Sequence, residues 1–420
     1  MTAGSPTRHW QDYPLLKRIV QGYLAGGQAA EALVADAELD WQDSERMKFL
    51  MMNLIAAAAP SNNPLISPAG WKAALDTGGL SAVRGIRAIT DLAPGRSMIE
   101  FLTGQGYQVF VMSWRNPDRR HKDWDLDAYG HAVVDALAAI HSIAKVRKAS
   151  IMGLCAGGII TSMVGAHLSR TGQLGQIASL CLGVTVLDQA HAGMAAALLD
   201  EPAAAAAVLA SSRCGYLDGR ALAEVLAWLR PDDLVWNYWV NNYLQGRPPP
   251  PFDILYWNAD TTRLPAALYR DFVSLALSNA VAKPDEATMP GSPVDLGRVD
   301  VDSYVVAGIA DHIVPWQSAY RSTQLLGGPV RFVLSTSGHI ASMVNPPTSP
   351  KATFRAAPDN PAEPGEWLAR RAATVKGSWW PDYSSWLAGR SGGEKKRPAR
   401  LGSKQFPPLG PAPGSYVLDR

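Results

Sequence analysis

The stretch S-I-M-G-L-C-A-G-G, residues 150–158, constrains this chain more than any other. A short apolar run enters Gly153-Leu154-Cys155-Ala156-Gly157, and a small, apolar segment continues to about Ala166. That pattern predicts a buried strand, a tight turn and a helix, with Cys155 on the turn. Glycines beside a nucleophile let the backbone take a strained strand-to-helix elbow that holds the side chain above a sheet. A thiol ionises more readily than a hydroxyl, which suits acyl transfer through a thioester. The same residues also fit a glycine-rich turn around a small packed cysteine, because free Cys is among the most buried residue types. The elbow alone leaves both readings open.

The surrounding pattern is alternating. Tyr107–Ser113, Ala149–Met152, Ile177–Leu187, Val299–Gly308 and Val330–Leu334 read as strands, and Gly95–Gln105, Asp127–Val146 and Trp316–Leu325 as helices. Apolar strands separated by helices predict an α/β fold: an α/β-hydrolase-like, mostly parallel sheet covered on both faces. Reactive groups then belong beyond the carboxyl ends of the strands. Residues 1–90 read as a helical N-terminal region, with Leu15, Leu16, Ile19, Val20, Tyr23 and Leu24 on one face. The catalytic core is expected over 91–187 and 299–346. Residues 188–298 interrupt the alternation with an alanine-rich helix at 190–210 and a Trp-rich section, and read as an inserted cap or lid domain. Residues 347–420 form a C-terminal extension, read as irregular, in which S-W-W-P-D-Y-S-S-W-L-A-G is the one clearly apolar part.

Composition narrows the function. Of 420 residues 47% are hydrophobic and 18% charged, which is a folded globular balance. A net charge of +2 gives no footprint for nucleic acid. Three cysteines, Cys155, Cys181 and Cys214, form neither a disulfide framework nor a metal-ligand spacing. No leader-like apolar run opens the chain, and no segment reaches the roughly 18 uninterrupted apolar residues of a transmembrane helix. The expectation is a reducing, cytoplasmic setting. No phosphate-cradling glycine motif stands out, so no bound cofactor and no metal are expected.

A Cys nucleophile needs a base, and the base usually needs a third group to orient it. G-I-A-D-H-I-V-P-W places Asp311 in a loop after one predicted strand, and S-T-S-G-H-I-A places His339 after the next. Cys155, Asp311 and His339 follow the nucleophile–acid–histidine order of the α/β-hydrolase layout, each beyond a strand end. Taken singly, Asp311 fits a turn residue and His339 an ordinary core histidine; it is the ordered set that points to a triad. His312 and Trp316 are secondary candidates. The backbone N–H of Ala156, after the nucleophile, is the natural first oxyanion donor.

Further motifs extend over most of the chain: S-W-R-N-P-D at 113–118, L-R-P-D-D-L-V-W-N-Y at 229–238, N-N-Y-L-Q-G at 241–246, P-F-D-I-L-Y-W-N-A-D at 251–260, D-H-I-V-P-W at 311–316, G-H-I-A at 338–341, N-P-P at 345–347, G-S-W-W-P-D-Y at 377–383 and P-A-P-G-S-Y-V near the end. Together with G-L-C-A-G-G at 153–158, the chain resembles class I poly(3-hydroxyalkanoate) synthases from about residue 13 to 420. The resemblance implies a catalytic Cys155, Asp311 and His339, an (R)-3-hydroxyacyl-CoA substrate, a growing polyester plus free CoA as products, and no cofactor beyond the CoA carried by the substrate. It also implies a homodimer at the surface of storage granules. Two rivals are a Cys-dependent acyl-CoA thioesterase and a catalytically impaired, granule-bound partner of an active synthase.

One departure from the family pattern stands out. A proline-rich, apolar strand segment of the V-P-P-W-I-N-K kind is expected before the helix that begins near Leu92, and G-G-L-S-A-V-R-G-I-R-A-I-T at 78–90 runs almost directly into D-L-A-P-G instead. The missing piece is expected to carry a central strand and the loop that gives the second oxyanion N–H. A parallel sheet with a strand removed leaves backbone groups without partners.

Overall fold

The computed structural model describes residues 94–190, 192–193, 201–219, 221, 262–396, 398 and 400–411, together with the helical residues 43, 44, 46 and 47. Most of the expected helical region 1–90, the motifs at 229–238, 241–246 and 251–260, and most of P-A-P-G-S-Y-V lie outside the described residues. Apart from those four, the described residues belong to one compact unit, Ala82–Ala223 with Phe252–Arg420, and that unit is the subject below.

Helix α1, Met98–Gly104, opens on Ser97, whose hydroxyl accepts the Glu100 N–H at 2.9 Å. Helix α2, Leu126–Ala144, is capped by Asp125, which accepts from Ala128 N, and it ends on Lys145 in the left-handed region. Strand β1 (Ala149–Leu154), helix α3 (Ala156–Arg170) and strand β2 (Ile177–Gly183) form the first parallel unit. Helix α4 (Glu201–Cys214), the short antiparallel pair β3 (Tyr216–Leu217) and β4 (Leu264–Pro265), and helix α5 (Ala266–Ser278) follow. Strand β5 (Ser303–Gly308), helices α6 (Trp316–Tyr320) and α7 (Ser322–Leu325), strand β6 (Val330–Ser335) and helix α8 (Ala341–Val344) complete the parallel part. Strands β7 (Thr353–Ala356) and β8 (Ala373–Lys376) and helix α9 (Trp380–Ala388) end it.

The six-stranded sheet runs β1-β2-β5-β6-β7-β8. β1, β2, β5 and β6 are parallel, and β7 and β8 are added antiparallel. Side chains of a strand point alternately to its two faces, and the core divides accordingly. Leu180, Leu182, Val305, Ala307, Phe332 and Leu334 face one cluster, beneath α2, α3 and α6. Cys181, Tyr304, Val306 and Val333 face the other, with Met98 and Leu102 of α1 and Trp380, Tyr383 and Leu387 of α9. The sheet is therefore covered on both faces, as an all-apolar parallel strand set requires.

Four expectations are corrected. The tail is not irregular, because it supplies β7, β8 and α9; short edge strands such as A-T-V-K, fully exposed, carry too little apolar periodicity to be read from sequence. Trp316–Leu325 breaks into two short helices, and β2 stops at Gly183, where Val184 turns the chain at φ 44°. Most important, Tyr107–Ser113 is not a strand: it runs without strand structure beside the sheet. Tyr107 and Val109 still pack inward against the α1–α9 cluster, and the Tyr107 hydroxyl donates to Ser384 O. Phe110, Val111 and Met112 are left exposed. A strand exists only through its neighbours, and the expected neighbour belongs to the segment absent before Leu92. Among the described residues, β1, which leads into Cys155, is the last strand of the sheet on that side.

Candidate active site

Cys155 sits between β1 and α3 with φ 51° and ψ −123°, a conformation few L-residues adopt. Holding a non-glycine residue there costs about 1–3 kcal/mol and needs surroundings that over-determine it. Those surroundings are backbone bonds. Cys155 N donates to Gly183 O and Gly158 N to Cys155 O, both at 2.9 Å, and the Thr185 hydroxyl donates to Cys155 O at 3.2 Å. A Cβ on Gly158 would collide with the Thr185 side chain, so glycine is required where α3 passes β2. The result is a half-buried thiol at the head of a helix whose first N–H groups, Ala156 among them, have no intrahelical acceptor.

The acid and base arrive from the next two strands. Beyond β5, the Asp311 carboxylate accepts from Ile313 N and Val314 N through Oδ1, both at 2.9 Å, and its side chain is wholly buried. Its Oδ2 takes the ring of His339, beyond β6, at Nδ1, 2.7 Å away. This assigns the Nδ1 proton to the Asp311 side and turns Nε2 outward. Burial pushes the His339 ring toward neutrality. Hydrogen bonds to Asp311 and to Cys155, and the charge on both, outweigh it, and the pKa is raised to about 10. Asp311 and His339 thus form a hydrogen-bonded pair beyond the carboxyl ends of β5 and β6, with Cys155, beyond β1, near enough to the ring to act on its pKa.

The secondary candidates fall elsewhere. His312 is half-buried, and the ring bound to Asp311 is that of His339. Trp316 is a core residue, packed at 6.5 Å from Tyr320 and 6.3 Å from Trp367 between ring centroids, because the apolar start of α6 faces the sheet rather than the loop cluster. Two residues unremarked in the sequence also matter: Gly183, whose carbonyl anchors the elbow, and Thr185, whose hydroxyl spans Gly183 O and Cys155 O. Their position at the carboxyl end of β2 was the available signal. Among the described residues no group of three His, Cys, Asp or Glu side chains is placed to hold a metal, and no helix is long and apolar enough to cross a membrane.

A nucleophile elbow, a strand-end acid and a strand-end histidine on a mostly parallel sheet define the α/β-hydrolase fold, and a family model of that fold matches residues 85–346. A second family model, the N-terminus of poly-beta-hydroxybutyrate polymerase (PhaC), matches residues 6–111. The chain belongs to the poly(3-hydroxyalkanoate) polymerase family. It is 38% identical to poly(3-hydroxyalkanoate) polymerase 2 of Ectopseudomonas oleovorans, over 98% of this chain and 85% of that one. It is 41% identical to the polymerase subunit PhaC of Cupriavidus necator, over 78% of this chain and 57% of that one. Among solved structures, a monoacylglycerol lipase from Paleococcus ferrophilus matches with a TM-score of 0.34 and 13% identity, over 70% of this chain and 88% of that one. The first alignment extends over 479 positions, more than the 420 residues of this chain, so the relative carries an internal stretch without counterpart here.

Proposed function

We propose that the protein polymerises (R)-3-hydroxyacyl-CoA into polyester through an acyl group carried on Cys155. The observation that carries this reading is the Cys155–His339–Asp311 chain in a member of the polymerase family. His339 holds the thiol's proton at Nε2 while the Cys155 sulfur attacks the thioester carbonyl. Collapse of the tetrahedral intermediate expels the CoA thiolate, which recovers that proton from His339. The hydroxyl of a second 3-hydroxyacyl group then gives its proton to His339 and attacks the acyl-cysteine, forming the ester and freeing the thiol. The Ala156 N–H, first in α3 after Cys155, is the donor this reading assigns to the oxyanion. Both Asp311 oxygens are engaged, one by His339 and one by two backbone N–H groups. That occupancy supports an orienting role for Asp311 over direct activation of the incoming hydroxyl.

The reading includes a cytoplasmic protein at storage granules, acting as a homodimer, with 188–298 as a cap or lid insertion. A second reading, a catalytically impaired partner of a complete synthase, is favoured by one observation: among the described residues β1 ends the sheet where the strand and loop of a second oxyanion donor are expected. Purified protein and Cys155→Ala, each given (R)-3-hydroxybutyryl-CoA, separate the two. CoA release with insoluble polymer, lost by at least about 1,000-fold in the variant, is expected of the polymerase. Folded wild type that releases no CoA alone, but changes the kinetics of a complete synthase mixed with it, selects the partner.

A further inference from the structure

Helix α8 is only four residues long, yet it touches the approach to every member of the triad. Ser342 Oγ donates to His339 O at 3.2 Å, and Ser342 N to Gly338 O at 2.9 Å, closing the loop that carries the base. Met343 packs at Gly183, where a Cβ would stand 2.6 Å from its Cε; Gly183 O is the acceptor that anchors Cys155 N. On β5, a Cβ at Gly308 would stand 3.0 Å from Ser342 Oγ, three residues before Asp311. A helix this short cannot hold its own register, since its last carbonyls lack intrahelical donors.

Those carbonyls are taken by three consecutive side chains from the start of α9. Ser378 Oγ donates to Asn345 O at 2.7 Å, Trp379 Nε1 to Ser342 O at 2.8 Å and Trp380 Nε1 to Met343 O at 3.0 Å. Both indoles are essentially inaccessible to solvent. A buried indole N–H without an acceptor is costly, so each ring can sit only where its carbonyl is.

We infer that Trp379 and Trp380 are positioning residues for catalysis: as a pair of indole donors they fix α8, and through α8 they set the geometry of His339 against Cys155. The claim rests on Cys155 and His339 acting as nucleophile and base. The S-W-W motif is then part of the active site's support although neither ring touches a reacting atom.

The test is alkylation of Cys155, which needs no substrate. Cys181 is buried and Cys214 exposed, so a Cys214→Ser background leaves Cys155 as the reactive thiol. Rates with iodoacetamide are followed against pH for that protein, for Trp379→Phe/Trp380→Phe, which keeps the rings and removes both donors, and for Trp386→Phe. Trp386 lies on the same helix, stacked on Tyr383 and under Arg390, and serves as the packing control. The expected result is alkylation at neutral pH about tenfold or more slower in the double variant, with its rise displaced to higher pH, and an unchanged profile in Trp386→Phe. A double variant with native circular dichroism and the wild-type rate and profile overturns the inference. So does an equal displacement in Trp386→Phe, which would mean general loosening. Polymer formation is scored separately: a double variant that shifts the profile while wild type makes no polymer leaves the positioning standing and removes the polymerase reading.

Discussion

At Cys155 the backbone angle, the thiol and the base are mutually dependent. The elbow presents the sulfur to His339 only while Gly183 O and Thr185 hold it at positive φ. His339 can hold a proton at Nε2, toward Cys155, only while Asp311 fixes its other nitrogen. The raised His339 pKa ties this geometry to pH. In the unfolded chain the ring titrates near about 6.5, whereas in the fold it holds its proton to about 10. Between those values the folded state binds the extra proton, so stability is complete below the lower value and declines as pH rises through the upper one. Thermal midpoints measured from pH 6 to 10.5 should fall more steeply in wild type than in His339→Gln, since the difference removes the contribution of other alkaline groups such as Cys181 and Tyr304. Parallel curves would mean that His339 is not the proton holder.

Among the elements, the tail does more than its sequence announces. Asp382 of α9 accepts from Arg331 of β6 through both oxygens, at 2.6 and 2.9 Å, and from the Tyr304 hydroxyl of β5 at 2.7 Å. Helix and sheet are thus joined by a bidentate, charge-assisted contact, geometry stronger than an ordinary surface pair. Asp382→Asn cannot accept both guanidinium bonds and the phenol. It should cost about 1.5–3 kcal/mol in urea unfolding, with an unchanged dependence on denaturant concentration. The elbow, the parallel strands and the order of Cys155, Asp311 and His339 were legible because they lie in apolar runs of one period followed by chemistry-bearing loops. β8 was not, having no buried residue, and Trp379 and Trp380 read only as an apolar patch. Their donors are paired with carbonyls 37 residues away, a relation that no local pattern encodes. Tyr107–Ser113 failed for the opposite reason: its strand pattern is sound, but a pattern cannot say whether a partner strand exists.

For the whole molecule, that missing partner is the largest consequence of the sequence. Among the described residues β1 pairs with β2 alone, Ser150 is exposed, and Ile151 and Met152 are half-buried, although this strand leads into Cys155. By contrast every residue of β5 is buried. A strand paired on one side opens at lower free energy than one paired on both, so the element under Cys155 should also be the least protected of the parallel strands. Hydrogen–deuterium exchange should show peptides covering 149–154 exchanging well ahead of those covering 303–308, and peptides covering 107–113 ahead of both. Inserting the corresponding internal stretch of the Ectopseudomonas oleovorans polymerase between Thr90 and Leu92 should slow exchange across both 107–113 and 149–154, because one added strand gives each a neighbour. It should leave 303–308 unchanged, since β5 already has both. If the unaltered protein protects 149–154 as strongly as 303–308, the outer edge of β1 is already paired, by residues outside those described or by a second chain. The impaired-partner reading then loses the observation that favours it.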